Sequence, residues 1–270
     1  MTRSDLQAAV SKVPAVTLGF WIIKILCTTL GETGGDSVSM TWLGETTAEA
    51  GRSGFNGYLV GTLAFGILLI ALISAQIRAS RFSPWLYWAT IVASTTAGTT
   101  LADYCTRSLG IGYSGGSILL LACVLGSLLA WRFTLGTVDS DTVSTPKAEI
   151  FYWVTITFSQ TLGTALGDWT ASVGALGYVG AAAIFAVLLA VVAGLYFWTG
   201  LSRVVLFWAA FILTRPLGAA VGDFLDKPHD HGGLALGRPL ASAILAAAII
   251  ALIFVLPQRP GEHPRGSDAL

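Results

Sequence analysis

The chain has 270 residues, 54% of them hydrophobic and 11% charged, with a mean hydropathy of +0.73 and fifteen basic residues balanced by fifteen acidic ones. Soluble domains carry about 25% charged residues, so this composition excludes a disordered chain, a coiled coil and a disulfide scaffold, argues against a soluble enzyme, and is that of a polytopic membrane protein. No basic stretch exists to neutralise phosphates, which argues against nucleic acid as a partner and leaves the lipid bilayer and a small solute.

Runs long enough to span a bilayer, which needs about 20 residues, recur along the chain. Pro14–Asp36 comes first and carries Lys24 and Glu32 inside it. Ser53–Ile77, Phe82–Ala102, Ser108–Trp131 and Ile150–Gly167 follow, uncharged. Trp169–Ser202 is Gly-rich near its start and reads as a loop and then one span. Val204–Asp223 contains Arg215, and Pro239–Gln258 closes the series. This predicts an all-α membrane protein of eight transmembrane helices, one domain over residues 14–257, because irregular backbone facing lipid cannot satisfy its polar groups. The alternating strands of a membrane barrel are absent. The first span is not expected to be a cleaved leader, since it holds a lysine and lacks a small-x-small cleavage site.

Eight spans put both tails, residues 1–13 and 258–270, on one side. That side collects Arg3, Lys12, Arg78, Arg81, Arg132, Lys147, Arg203, Arg259 and Arg265; the other has Arg52, Arg107, Lys227 and Arg238. Nine against four predicts both tails in the cytoplasm. The outer loops are richer in acid, with Glu45, Glu49, Asp226 and Asp230. Cys27, Cys105 and Cys123 form no CxxC pair and read as apolar fillers, with a disulfide between two of them left open.

Four segments align without a gap. They begin at Phe20-Trp21, Tyr87-Trp88, Tyr152-Trp153 and Phe207-Trp208, and they end at Asp36, Asp103, Asp168 and Asp223. Each has a Gly ten residues after the Trp, a Gly or Ala at fourteen and the Asp at fifteen. Each is followed by one plain apolar span, giving two-helix repeats at about residues 14–78, 82–134, 148–198 and 203–257. This pattern resembles a bacterial integral-membrane family built from four tandem two-helix units, a repeat of unknown function with a characteristic tryptophan. The resemblance implies eight helices and a multi-pass protein of the bacterial cytoplasmic (inner) membrane. It brings no chemistry, so function rests on the residues.

At 100° per residue, repeat positions seven, ten, eleven, fourteen and fifteen fall on one helix face. The small pairs Gly31/Gly35, Gly98/Ala102, Gly163/Gly167 and Gly218/Gly222 let helices approach closely in lipid and read as a packing seam. The tryptophans read as anchors in an interfacial aromatic belt. Each Asp lies about 22 Å along the axis from its Trp, at a helix C-terminus, where a carboxylate meets the negative end of the dipole. A proton, a metal ion, a basic side chain or water must compensate, unless the helix breaks at the glycines and the Asp caps a new one. Ionisable residues within membranes mark pathways.

The other charges break the fourfold pattern. Lys24 and Glu32 occur only in repeat one and Arg215 only in repeat four. An ion pair between Glu32 and Arg215 is expected, with Lys24 and Arg215 tuning the acids, and Pro216 is expected to interrupt its helix. Counting Glu32 and the four aspartates against Lys24 and Arg215 leaves three negative charges, which would draw a cation. Thr28, Thr95, Thr99 and Gln160 add neutral oxygens, a set that suits hard ions. His229 and His231, with Asp226 and Asp230, form a second and weaker metal candidate, for which a solvated loop is the simpler reading. The run from Gly31 to Asp36, GETGGD, is similar to acidic, Gly-rich motifs of some manganese and calcium transporters.

These residues point to a transporter of a small cation, a divalent metal such as Mn²⁺, exported in exchange for protons. The cation is substrate, and no cofactor is expected. The alternatives are a proton-coupled transporter of an organic solute and a non-transporting partner subunit. An intramembrane enzyme is not expected, because no HExxH, GxSxG or P-loop occurs and His229, His231 and His263 lie outside the spans.

Overall fold

Each repeat folds as an inner helix that carries the Trp-to-Asp motif, followed by a plain apolar one. The computed structural model describes residues 10–45, 56–173 and 176–262. Within them lie a short strand β1 (Val10–Pro14), helices α1 (Leu18–Asp36), α2 (Gly57–Arg78), α3 (Pro84–Asp103), α4 (Gly112–Leu135), α5 (Pro146–Ser172), α6 (Gly177–Trp198), α7 (Arg203–Asp226) and α8 (Arg238–Val255), and a strand β2 (Pro260–Glu262). Arg3, Glu49, Arg52, His263 and Arg265 fall outside the described residues, as do the ends of both tails.

Helix starts follow local chemistry. Thr17, Asn56, Ser83 and Thr145 each accept a hydrogen bond from a first-turn backbone N–H, and Pro84 and Pro146 sit where their missing N–H costs nothing. Helices α1 and α3 continue past their aspartates as π-helical turns, Ser37–Trp42 and Tyr104–Ser108. Asp36 and Asp103 therefore cap nothing with their side chains, and the alternative of a break at the glycines does not occur. Helix α5 runs on through Trp169 to Ser172, so the loop expected to begin at Trp169 starts four residues later. Helix α7 is also continuous, with Pro216 inside it. A neighbouring helix steadies this stretch, where Thr28 of α1 donates to the Thr214 carbonyl at 3.2 Å, two residues before the proline.

The four inner helices form a closed ring in chain order. Helix α1 packs on α3, α3 on α5, α5 on α7, and α7 back on α1. The glycine seam sets their spacing. A Cβ on Gly31 would collide with Thr95, on Gly98 with Gln160, on Gly163 with Arg215, and on Gly218 with Thr28. In each case the glycine at repeat position ten meets the position-seven residue of the next repeat, with repeat four returning to repeat one. The register is the same at all four contacts, so the helices are parallel. The packing-seam reading of these glycines holds, and Gly35, Gly167 and Gly222 repeat it one turn on, against Thr99, Ala219 and Glu32.

The apolar helices wrap this ring. Helix α2 packs mainly on α3, α4 on α5, α6 on α7, and α8 on α1. Each therefore covers the inner helix of the following repeat, and the last closes the circle. Among the described residues five helices are long and apolar enough to cross a membrane: α2, α4, α6, α7 and α8. Only 11–22% of the apolar stretch is buried in the four wrapping helices, against 67% in the ring member α7. That contrast fits wrapping helices whose apolar faces turn to lipid. Helices α1, α3 and α5 are more polar because threonine, glycine and aspartate face their partners.

The residues expected to form free tails are partly tied down. Strand β1 pairs antiparallel with β2. Ser11 Oγ donates to the Ser140 carbonyl at 3.0 Å, and Lys12 pairs with Glu149 at 2.7 Å while donating to the last carbonyls of α2.

Candidate functional site

The ring is stacked in layers along its axis. At one end lies a buried aromatic cluster. Phe20, Tyr87, Tyr152 and Phe207 pack among Trp88, Trp153 and Trp208, and the Tyr87 and Tyr152 hydroxyls meet at 2.6 Å. This corrects the aromatic-belt expectation. Trp88, Trp153 and Trp208 are at most 4% exposed, and Trp88 and Trp208 donate to Gln258 and to the Val138 carbonyl. Trp88, Trp153 and Trp208 point inward because they plug the ring, while Trp21 is half-buried against Phe20 and Phe207; the well-exposed tryptophans are Trp42, Trp85 and Trp198, outside the motif.

One turn on, the third position after the Trp is apolar in three repeats, Ile91, Ile156 and Phe211, all buried. The fourth is Lys24, whose ammonium lies 4.1 Å from the Phe211 ring centre and reaches Thr214 at 3.5 Å. Among the described residues Lys24 has no carboxylate partner. Cys27 is buried nearby, and all three cysteines are free thiols, so the disulfide left open does not form.

The centre of the ring holds the expected ion pair. Arg215 Nη2 lies 2.9 Å from Glu32 Oε2 and 2.6 Å from Thr99 Oγ1, and it also contacts Thr164 Oγ1. Glu32, Thr99 and Thr164 share position eleven of repeats one, two and three. One nitrogen thus touches three other helices, which puts it on the ring axis. Around it, Thr28 donates to the Ile25 and Thr214 carbonyls. Thr95 Oγ1, both polar atoms of Gln160, and Nε and Nη1 of Arg215 have no hydrogen-bond partner among the described residues, and all three side chains are fully buried.

The four aspartates gather at the far end, but in two pairs. Arg107 joins Asp103 at 3.0 Å to Asp168 at 2.9 Å. Lys227 joins Asp223 at 2.9 Å to Asp36 at 2.8 Å, with Asp226 at 3.9 Å. Arg238 adds a contact to Asp36 at 3.6 Å and to Asp226 at 3.3 Å. Each of the first two cations stands four residues after its own aspartate and bridges to the next repeat. They supply the compensation that a carboxylate at a helix C-terminus needs. The i,i+4 spacings Asp103/Arg107 and Asp223/Lys227 were the signal for this arrangement. Burial works against the Lys227 charge, but Asp223, Asp36 and Asp226 outweigh it and hold the ammonium well above the ordinary lysine range.

This changes the charge count. Asp226 joins the acids, while Arg107, Lys227 and Arg238 join the bases, so the surplus of three negative charges shrinks to one. Among the described residues one group of acids can hold a metal ion: Glu32, Asp36 and Asp223, all buried, each offering an oxygen within 4.8 Å of the others. Asp103 and Asp168 are not part of it. Nor are the loop histidines: His229 Nδ1 contacts the Gly233 carbonyl at 2.9 Å, and the His231 side chain lies outside what is described. Glu45 is committed to the Gly57 N–H at 2.6 Å.

Fold and site together define a helical membrane protein with a cyclic four-repeat ring and a buried, charged axis. The chain belongs to the family described as Repeat of Unknown Function (DUF347), whose model matches it four times in tandem, at residues 19–82, 86–137, 151–202 and 206–257. No curated protein and no solved structure matches it.

Proposed function

We propose that this chain is a transporter of a small cation, a divalent metal with Mn²⁺ as the first candidate, moved out of the cytoplasm in exchange for protons. In this reading all eight helices span the bacterial inner membrane, with both tails and the aromatic plug on the cytoplasmic side. One observation carries the proposal: Glu32, Asp36 and Asp223 bring three buried carboxylates within 4.8 Å of one another. Carboxylate oxygens at that spacing suit a hard divalent ion, and intramembrane acids are functional by default. Arg215 closes the axis just beneath them, so the ion pair with Glu32 must open for passage.

The test is metal content and tolerance in cells carrying the wild type or an Asp36→Asn/Asp223→Asn variant, across Mn²⁺, Mg²⁺, Co²⁺ and Zn²⁺. The wild type should change the cellular content of one ion and the variant should not. Equal contents with both proteins in the membrane would sink the proposal. A second reading, proton-coupled transport of an organic solute, draws support from the unpartnered groups of Thr95, Gln160 and Arg215. Saturable solute uptake that ignores added metal would favour it.

A further inference from the structure

The two cation-bridged pairs occupy equivalent places in a ring of near-fourfold symmetry, so the differences between them are informative. In the pair held by Arg107, the position-eleven residues of repeats two and three are Thr99 and Thr164, so no third acid lies below. Arg107 is also fastened from outside, by the Tyr58 hydroxyl at 3.3 Å. A guanidinium is a planar fork that reads two carboxylates at once and does not lose its charge. In the pair held by Lys227, Glu32 supplies a third acid, and the three carboxylates have the spacing of a metal site. The bridging group here is an ammonium, a compact point charge on a flexible stem. It sits 2.8 Å from Asp36 Oδ2 and 2.9 Å from Asp223 Oδ1. The other oxygen of Asp36, a residue only 1% exposed, has no hydrogen-bond partner among the described residues; Asp103 Oδ2 in the Arg107 pair is bare too, so what sets this pair apart is the third acid and the ammonium. A buried carboxylate oxygen left bare is costly, and it offers a ligand position that the ammonium does not use.

We propose, on top of the cation reading above, that Lys227 is a tethered ammonium ion that occupies the Glu32/Asp36/Asp223 site and leaves it when a divalent cation binds. Three carboxylates this close repel one another unless a positive charge lies among them. Lys227 supplies that charge between Asp36 and Asp223 in the resting protein, with Arg215 on Glu32 and Arg238 at the edge of Asp36, and an entering metal replaces the ammonium's one charge with two. The backbone need not move. Lys227 N is bonded to the Asp223 carbonyl at 2.9 Å, and the Lys227 carbonyl accepts from Ala235 N at 2.9 Å, so the anchor stays fixed while the side chain swings out. Lys227 thus sets how tightly the site holds its ion and keeps the acids neutralised between turnovers.

The experiment measures Mn²⁺ binding to the purified full chain in detergent, using the paramagnetic resonance signal of free Mn²⁺. Lys227→Met should bind about tenfold more tightly than wild type, because the competing charge within 3 Å of two ligands is gone, while Arg107→Met should stay within about threefold. Equal or weaker binding by Lys227→Met, binding by neither protein, or equal tightening by Arg107→Met would each overturn the inference. A second readout uses wild type alone and does not depend on a variant folding. Saturating Mn²⁺ should raise the acetylation of Lys227 by an amine reagent, read by mass spectrometry, and unchanged or reduced labelling would overturn the inference. The two proposals fail separately. Tighter binding by Lys227→Met with no effect of the protein on cellular metal sinks transport alone. Metal transport lost on removing Asp36 and Asp223, with binding indifferent to Lys227, sinks the tether alone.

Discussion

Arg107 and Lys227 hold the same position in repeats two and four, yet the halves of the ring they close differ. Repeats two and three contribute Asp103 and Asp168 under an arginine, above a layer of threonines. Repeats four and one contribute Asp223 and Asp36 under a lysine, above Glu32, and they also supply Lys24 and Arg215. All charge within the deeper layers therefore belongs to one half. The other half has the same helices, the same glycine contacts and the same aspartates, but one cation, Arg107, is shared by its two acids and no charge lies below them. The comparison separates what the scaffold requires from what the site requires. Glycine, aromatic plug and bridged aspartates recur because the ring cannot close without them; Glu32, Arg215 and Lys24 do not recur, so the ring does not need them in order to close.

The sharpest way to break this comparison is to remove one member of the central pair. Glu32→Gln or Arg215→Met should destabilise the protein by about 3–5 kcal/mol, since a buried charge loses its partner, and the Glu32→Gln/Arg215→Met double variant should cost clearly less than the sum. Thermal unfolding in detergent reads this, and additive losses would mean that the pair is not coupled. The scaffold side of the comparison comes next. A Cβ on Gly163 would overlap Arg215, so Gly163→Ala should cost about 1–3 kcal/mol by overpacking. A Cβ on Gly66 meets nothing within 4 Å, and Gly66→Ala should fall within about 0.5 kcal/mol of wild type. Equal effects would show that the seam is not limiting.

The site side follows. Asp223→Asn should weaken Mn²⁺ binding about tenfold, or about 1.4 kcal/mol, whereas Asp168→Asn should leave it within about twofold. Equal losses in the resonance assay would return the four aspartates to a single shared site. The smallest effect is expected at the plug. Tyr87→Phe removes the hydroxyl contact with Tyr152 and should lower stability by about 0.5–1.5 kcal/mol without changing metal binding.

Much of this was legible in the residues. Apolar run lengths located all eight helices to within a few positions, and the four Trp-to-Asp spacings identified the inner set. Glu32 and Arg215 stood out as lone opposite charges one turn apart in repeat register, so their pairing followed from the cost of burying either alone. What stayed hidden was relational. Parallel repeats permit several packings, and no local pattern says that α2 covers α3 rather than α1. The bridging by Arg107 and Lys227 was half legible, as an i,i+4 spacing, but the reach to Asp168 and Asp36 depends on which helix stands next. Tryptophan suits both an interface and a packed plug, and only the ring shows which applies. Pro216 misled because a helix held on one side by Gly163 and on another by Thr28 tolerates a lost N–H that an isolated helix would not.

The wrapping order has a consequence for assembly. Every outer helix has its main partner in the unit that follows it in the chain, and α8 has its main partner at the very beginning. A fragment holding α1 to α4 would leave α4 without α5, and would leave α1 without α8. The complementary fragment would be short of partners at the same two seams. The halves are thus mutually incomplete: coexpressed, they should find each other and restore the circle, while either alone should remain open and prone to pair with copies of itself.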